Sequence, residues 1–109
     1  DGIVHLTVPE FDAALSKANL DNIVVLDVRT AQETATGMIP TAIVIDYMSA
    51  GFGDKVTKLD KSKTYYVYCR SGNRSGKACK MMQSMGFENT INLKGGMLAW
   101  EAAGFDKTT

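Results

Sequence analysis

Residues 65–86 read YYVYCRSGNRSGKACKMMQSMG. The β-branched and aromatic run from Thr64 to Tyr68 has the length of a strand and stops at Cys69. Small polar residues with a glycine follow, and then an apolar pattern of helical period. The cysteine therefore stands where a strand gives way to a helix. Ala78, Met81, Met82 and Met85 are expected to form the helix's apolar stripe, and Gly86 to stop it.

A thiol gains from that position. Every residue of the loop Arg70-Ser71-Gly72-Asn73-Arg74-Ser75 can offer a backbone N–H, and Gly72 and Asn73 tolerate the dihedrals that turn successive N–H groups inward. The following helix adds its unpaired N-terminal amides and the positive end of its dipole, and two guanidinium groups are near in sequence. A free cysteine, with a pKa of about 8.5, becomes mostly thiolate at neutral pH only after a downward shift of roughly 1.5 to 2 units, or about 2 to 3 kcal/mol. The helix terminus supplies roughly 0.3 to 2 kcal/mol, so the arginines and loop amides are expected to supply the remainder.

Four segments together resemble one known family. VYCRSGNRS with its helix, NLKGGMLAW, LDVRTAQE and GMIPTAIVID occur here in the order and spacing of the rhodanese-type sulfurtransferase domain, over about Ile23 to Gly104. The resemblance implies that Asp27 and Arg29 brace the active-site loop and that Trp100 anchors core packing. Read from the residues alone, Asp27 and Arg29 are a polar pair closing a strand end. The chain departs from the family at Met38 and Thr41, where histidine and glycine are usual, and that departure touches packing more than chemistry.

Length and composition narrow the reading further. The 109 residues are expected to form one domain, residues 1–109. Twelve basic residues balance twelve acidic ones, which gives no general pull toward nucleic acid or an anionic membrane. No apolar run has the length of a membrane span and no signal peptide is visible, so the chain is expected to be soluble, either cytoplasmic or the mature form of an exported protein. Cys69 and Cys79 are too few for a disulfide scaffold. A cysteine in the second turn of the helix should also lie beyond the roughly 7 Å Cα limit for a bridge to Cys69. Cys79 reads as a small buried residue rather than a resolving thiol. No metal site and no cofactor are expected, since the lone His5 reads as an ordinary strand residue.

Along the chain, strands are expected at Ile3–Leu6, Ile23–Val28, Ala42–Asp46, Thr64–Tyr68 and Thr90–Leu93. The second of these is apolar except for Asp27, as in a strand buried on both faces. Thr7-Val8-Pro9-Glu10 and Thr30-Ala31-Gln32-Glu33 are capping boxes that start helices, and Gly37 is placed to end the second at C′. Phe11, Ala14, Leu15 and Ala18 make one helical stripe. Val56 and Leu59 suggest a turn of helix, and Tyr47, Met48 and Phe52 are either pocket lining or core. A last helix starts after Gly95-Gly96 and ends near Gly104. Strands and helices alternate, so the expected fold is α/β and rhodanese-like, a central parallel five-stranded sheet with helices on both faces. Ligands of such sheets bind at the carboxyl ends of strands, where Cys69 lies.

The chemistry expected is sulfur transfer. A Cys69 thiolate attacks the outer sulfur of a small anionic donor such as thiosulfate, and the resulting persulfide passes its sulfur to cyanide, a small thiol or a protein acceptor. Arg70 and Arg74 are expected to bind the donor's oxyanion, and the amides of Arg70, Ser71, Gly72, Asn73, Arg74 and Ser75 to cradle the sulfur. Two alternatives are a non-catalytic binding or regulatory module and a cysteine-dependent phosphatase or arsenate reductase. Tyrosine-phosphatase-type loops place five residues between cysteine and arginine, whereas Arg74 follows Cys69 after four. In the rhodanese family the shorter loop marks the sulfurtransferases. The retained cysteine, glycine and arginines argue against a purely binding role.

Overall fold

A computed structural model describes residues 3–108 of the chain. Five strands form one wholly parallel sheet: β1 (Val4–Leu6), β2 (Ile23–Asp27), β3 (Ile43–Val44), β4 (Thr64–Tyr68) and β5 (Asn89–Leu93), in the spatial order β1-β5-β4-β2-β3. The helices are α1 (Val8–Lys17), α2 (Ala31–Thr34), α3 (Phe52–Thr57), α4 (Asn73–Ser84) and α5 (Gly96–Ala102), with a turn of 3-10 helix at Leu20–Asn22. Among the described residues no helix is long and apolar enough to cross a membrane.

Side chains of β4 alternate between two apolar layers. Tyr65 and Val67 face Phe52 and Val56 of α3 and Ala78 and Met82 of α4, while Tyr66 and Tyr68 face Phe11 of α1 and Met97 and Trp100 of α5. The sheet thus carries helices on both faces, and its three inner strands are the most buried. Edge-to-face aromatic pairs seal each layer, Tyr65 with Phe87 and Phe11 with Tyr66. Trp100 is buried and its indole N–H donates to the Asp106 carbonyl. Tyr47 and Phe52 pack edge to face as core residues, and Met48 is exposed.

Three expectations need correction. The strand placed at Ala42–Asp46 is only two residues long. Its backbone turns at Thr41, and Asp46 folds back to accept the Met48 N–H, although Ile45 and Tyr47 still donate to the carbonyls of Asp27 and Val28. Of the expected α4 stripe, Ala78 and Met82 are buried and Met85 packs against the same cluster, but Met81 is 36% exposed and Ser75 and Cys79 are buried beside them. Cys79, expected to be a small buried residue, lies within the stripe at i+4 from Ser75. Gly37 lies two residues beyond the C-cap of α2, Ala35, rather than at C′, and its carbonyl accepts from Arg29. Both capping-box carboxylates do cap: Glu10 accepts from Thr7 N–H at 2.9 Å and Glu33 from Thr30 N–H at 3.0 Å.

Thr41 is the one non-glycine residue with positive φ, +70°, among the described residues. A β-branched residue is strained there, by roughly 1–3 kcal/mol. Replacing Thr41 by glycine relieves that strain and costs about 0.4–1 kcal/mol of extra chain entropy in the unfolded state. Thr41→Gly should stabilise the fold by about 1 kcal/mol, read as a higher urea midpoint at unchanged slope.

Candidate active site

At the carboxyl ends of β2 and β4, Asp27 stands across from Tyr68. The Asp27 carboxylate accepts from Arg29 Nη2 at 2.8 Å, from Arg29 Nε and from the Tyr68 hydroxyl at 2.7 Å, and all three residues are buried. Arg29 also donates to the carbonyls of Glu33 and Gly37, so it fixes the segment that carries α2. Tyr68 Oη in turn accepts from the Ile39 N–H. Burial, then the neighbouring carboxylate, push the Tyr68 phenol well above its ordinary range, so it stays a donor.

Glu33 completes the bracing. Its two oxygens take Nη1 and Nη2 of Arg74, each at 2.8 Å. Hydrogen bonding from Arg74 outweighs burial and holds the Glu33 carboxyl down at about 2. Arg74, expected to bind the donor's oxyanion, thus already has a carboxylate partner in Glu33. Arg70 differs. It is exposed, and its guanidinium has no hydrogen-bond or ion-pair partner among the described residues. It lines a cavity of about 240 Å³ with Arg29, Gln32, Glu33, Thr36 and Glu101.

The loop itself is held from behind by α5. Met97 N–H donates to the Cys69 carbonyl at 2.8 Å and Leu98 N–H to the Arg70 carbonyl at 3.0 Å. With those carbonyls turned toward α5, the following amides are free to face the sulfur. Gly72, at φ +100°, donates its N–H to Cys69 Sγ at 3.1 Å, and Ser75 Oγ lies 3.4 Å from the same sulfur. Asn73 opens α4, which places Ser75 in its first turn. The groups that reach the sulfur are those of Ser71, Gly72 and Ser75, with Asn73 and Arg74 as the first two residues of α4.

Burial alone would push the Cys69 thiol up. Hydrogen bonds from the Ser75 hydroxyl and from the amides of Ser75, Gly72 and Ser71 outweigh it and hold the thiol below its ordinary value. Neither arginine is a hydrogen-bond partner of the sulfur; the contacts made directly to it are main-chain amides and one hydroxyl, and Arg74 acts on it only as a nearby charge. Cys69 is also more enclosed than expected, at 1% exposed. Cys79 is a second free thiol, fully buried, and burial pushes it up to about 12. His5 does not reach the sulfur as a base. Its Nδ1 lies 3.0 Å from Asn92 Nδ2 on the neighbouring strand.

Four contributors were not singled out from sequence. Glu33 was read only as a cap and Tyr68 only as a strand residue. Asn92 is a polar residue inside a buried strand, which was a signal of its own. Gly96 is the fourth: a Cβ there would lie 2.5 Å from the carbonyl carbon and oxygen of Arg70 and 2.6 Å from the Cys69 carbonyl oxygen.

Comparisons with known proteins point to one family. The rhodanese-like domain family model matches residues 7–103. The YtwF protein of Bacillus subtilis is 38% identical over 99 residues, covering 88% of this chain and 93% of that protein. A sulfurtransferase of Allochromatium vinosum is 33% identical over 87 residues, covering 80% of this chain and 79% of that one. Among solved structures, a rhodanese-like domain protein of Staphylococcus aureus superposes with a TM-score of 0.80 at 30% identity, covering 97% of this chain and 99% of that chain.

Two outcomes follow from the site. Gly96→Ala should push the Cys69–Arg70 carbonyls off α5 and destabilise the fold by about 1–3 kcal/mol, read by urea unfolding. In the unchanged protein, thiolate absorbance assigned to Cys69 by loss in Cys69→Ser should develop with a midpoint below the roughly 8.5 of a free cysteine.

Proposed function

We propose that this chain, which belongs to the rhodanese-like family, is a sulfur-transfer enzyme that carries a sulfane sulfur from thiosulfate or a similar anionic donor to a thiophilic acceptor through a persulfide on Cys69. The observation that supports it is the convergence of main-chain amides on a single cysteine sulfur, with Gly72 N at 3.1 Å. Such donors stabilise negative charge on sulfur without lending a proton.

The reaction needs no oxidant. Cys69 Sγ, as thiolate, attacks the outer sulfur of thiosulfate. The S–S bond of the donor breaks, sulfite leaves with the electron pair, and Cys69 carries a persulfide. An acceptor, cyanide or a thiolate, then attacks the outer sulfur, and the Cys69 thiolate is the leaving group. No general base is required, because nucleophile and leaving group are both anions. Arg70, adjacent to Cys69 in the loop and with no partner for its guanidinium among the described residues, is the group to bind the donor's oxyanion. Arg74 acts from behind through its pair with Glu33, and Asp27 and Arg29 support the loop through α2.

Mass spectrometry after incubation with thiosulfate tests this reading. One added sulfur on Cys69, absent in Cys69→Ser, is the expected result. Phosphate release from a chromogenic aryl ester without any sulfur gain would point to a phosphatase instead, and neither product from folded protein would point to a binding module. Arg70→Ala should raise the KM for thiosulfate about tenfold, as fits the loss of one charge-assisted hydrogen bond from an exposed side chain. An unchanged KM would count against its role.

A further inference from the structure

The Ser75 hydroxyl has one proton and two claimants. Its Oγ is 3.4 Å from Cys69 Sγ, and it donates to Asn92 Oδ1 at 2.5 Å. Asn92 is buried on β5 in register with Val67, one strand over from the start of the loop. Its Nδ2 faces two groups, the Gly72 carbonyl at 3.4 Å and His5 Nδ1 at 3.0 Å. A carbonyl only accepts, so Gly72 settles which end of the amide is nitrogen. The amide oxygen is thereby left toward Ser75, where it too can only accept. One backbone group thus fixes the Asn92 amide, and the Ser75 hydroxyl is left to donate either to the Asn92 oxygen or to the sulfur.

We propose that Asn92 is a positioning residue for Cys69 that acts through Ser75, keeping the hydroxyl proton while the sulfur is uncharged and yielding it when the sulfur becomes an anion. With a protonated thiol, S–H donates to Ser75 Oγ and Ser75 donates to Asn92, so every group is matched. With a thiolate, the hydroxyl turns to the sulfur and leaves the buried Asn92 oxygen without its donor. Ionisation thus costs one hydrogen bond that a chain without this amide would not lose.

The role in turnover rests on the sulfur-transfer reading above. In that cycle the inner sulfur loses its charge when the persulfide forms and regains it when the acceptor departs, so the hydroxyl turns twice per turnover. Asn92 then tempers the thiolate rather than enhancing it. A thiolate that is less stabilised by its surroundings is the stronger nucleophile.

The test follows Cys69 ionisation by thiolate absorbance with no donor present, using Cys69→Ser as the blank. Arg74 is the charged group that the sulfur feels from α4 and Cys79 the neighbouring titratable one, and both are unchanged in every variant. Asn92→Ala should lower the Cys69 midpoint by about 0.5–1 unit, the equivalent of one net hydrogen bond. Ser75→Ala should raise it, and Asn92→Ala added to Ser75→Ala should move it no further. A shift of the same size in both backgrounds, no shift in either, or a rise with Asn92→Ala alone would overturn the proposal. Should the alanine variant fail to fold by circular dichroism, Asn92→Leu removes the acceptor without leaving a cavity, and the same sign is expected. Failure of thiosulfate to load sulfur bears on the reaction, whereas the two-background comparison bears on Asn92.

Discussion

Two hydrogen bonds from the start of α5 decide what the loop after β4 can do. A peptide unit that turns its carbonyl one way turns its N–H the other, and Met97 and Leu98 take the carbonyls of Cys69 and Arg70. The amides beyond are then directed to the Cys69 sulfur rather than to solvent. The contact is close enough that only glycine fits at position 96. A helix that lies last in the sequence therefore sets the electrostatics of a loop some twenty-five residues earlier, which is why NLKGGMLAW accompanies VYCRSGNRS.

A second constraint lies under the first. Asp27, Arg29 and Tyr68 form a buried, mutually hydrogen-bonded group at the carboxyl ends of two central strands. Such a group adds little net stability over an apolar cluster of the same size, yet losing one partner leaves a buried charge and costs about 3–5 kcal/mol. Here it ties β2, β4 and the α2 segment into one arrangement, and Glu33 passes that arrangement on to Arg74. Asp27 and Arg29, read from sequence as structural residues, are buried in mutual contact.

Much of this was legible in the sequence, and the reasons for the misses are physical. The inner strands were plain because burial on both faces demands continuous apolar runs, and Asp27 stood out against one. The cysteine loop was plain because strand, glycine and helix signals meet there. The strand at Ala42–Asp46 was read too long because its Ile and Val carry strand propensity in an edge position, where Thr41 and Asp46 turn the backbone on either side. Met81 was counted into the stripe although it is adjacent to Met82 and only one of the two can face the sheet. The pairing of Arg74 was not legible, because charge in a sequence does not reveal its partner. Glu33 lies forty-one residues away and was already accounted for as a cap. Asn92 carried a signal, a polar side chain in a strand that must be buried, but its partner on α4 becomes visible only in three dimensions.

The depth at which Cys79 lies bears on what would follow the proposed loading of Cys69. Many thiol proteins discharge an oxidised or modified cysteine onto a second cysteine of their own, closing a disulfide that a reductase then opens. That exit is shut here, because the only other thiol among the described residues is sealed in the core and pushed up to about 12. On the sulfur-transfer proposal, a cargo placed on Cys69 would have to await a visitor from outside, and supply of that visitor rather than any internal clock would govern the lifetime of the loaded form.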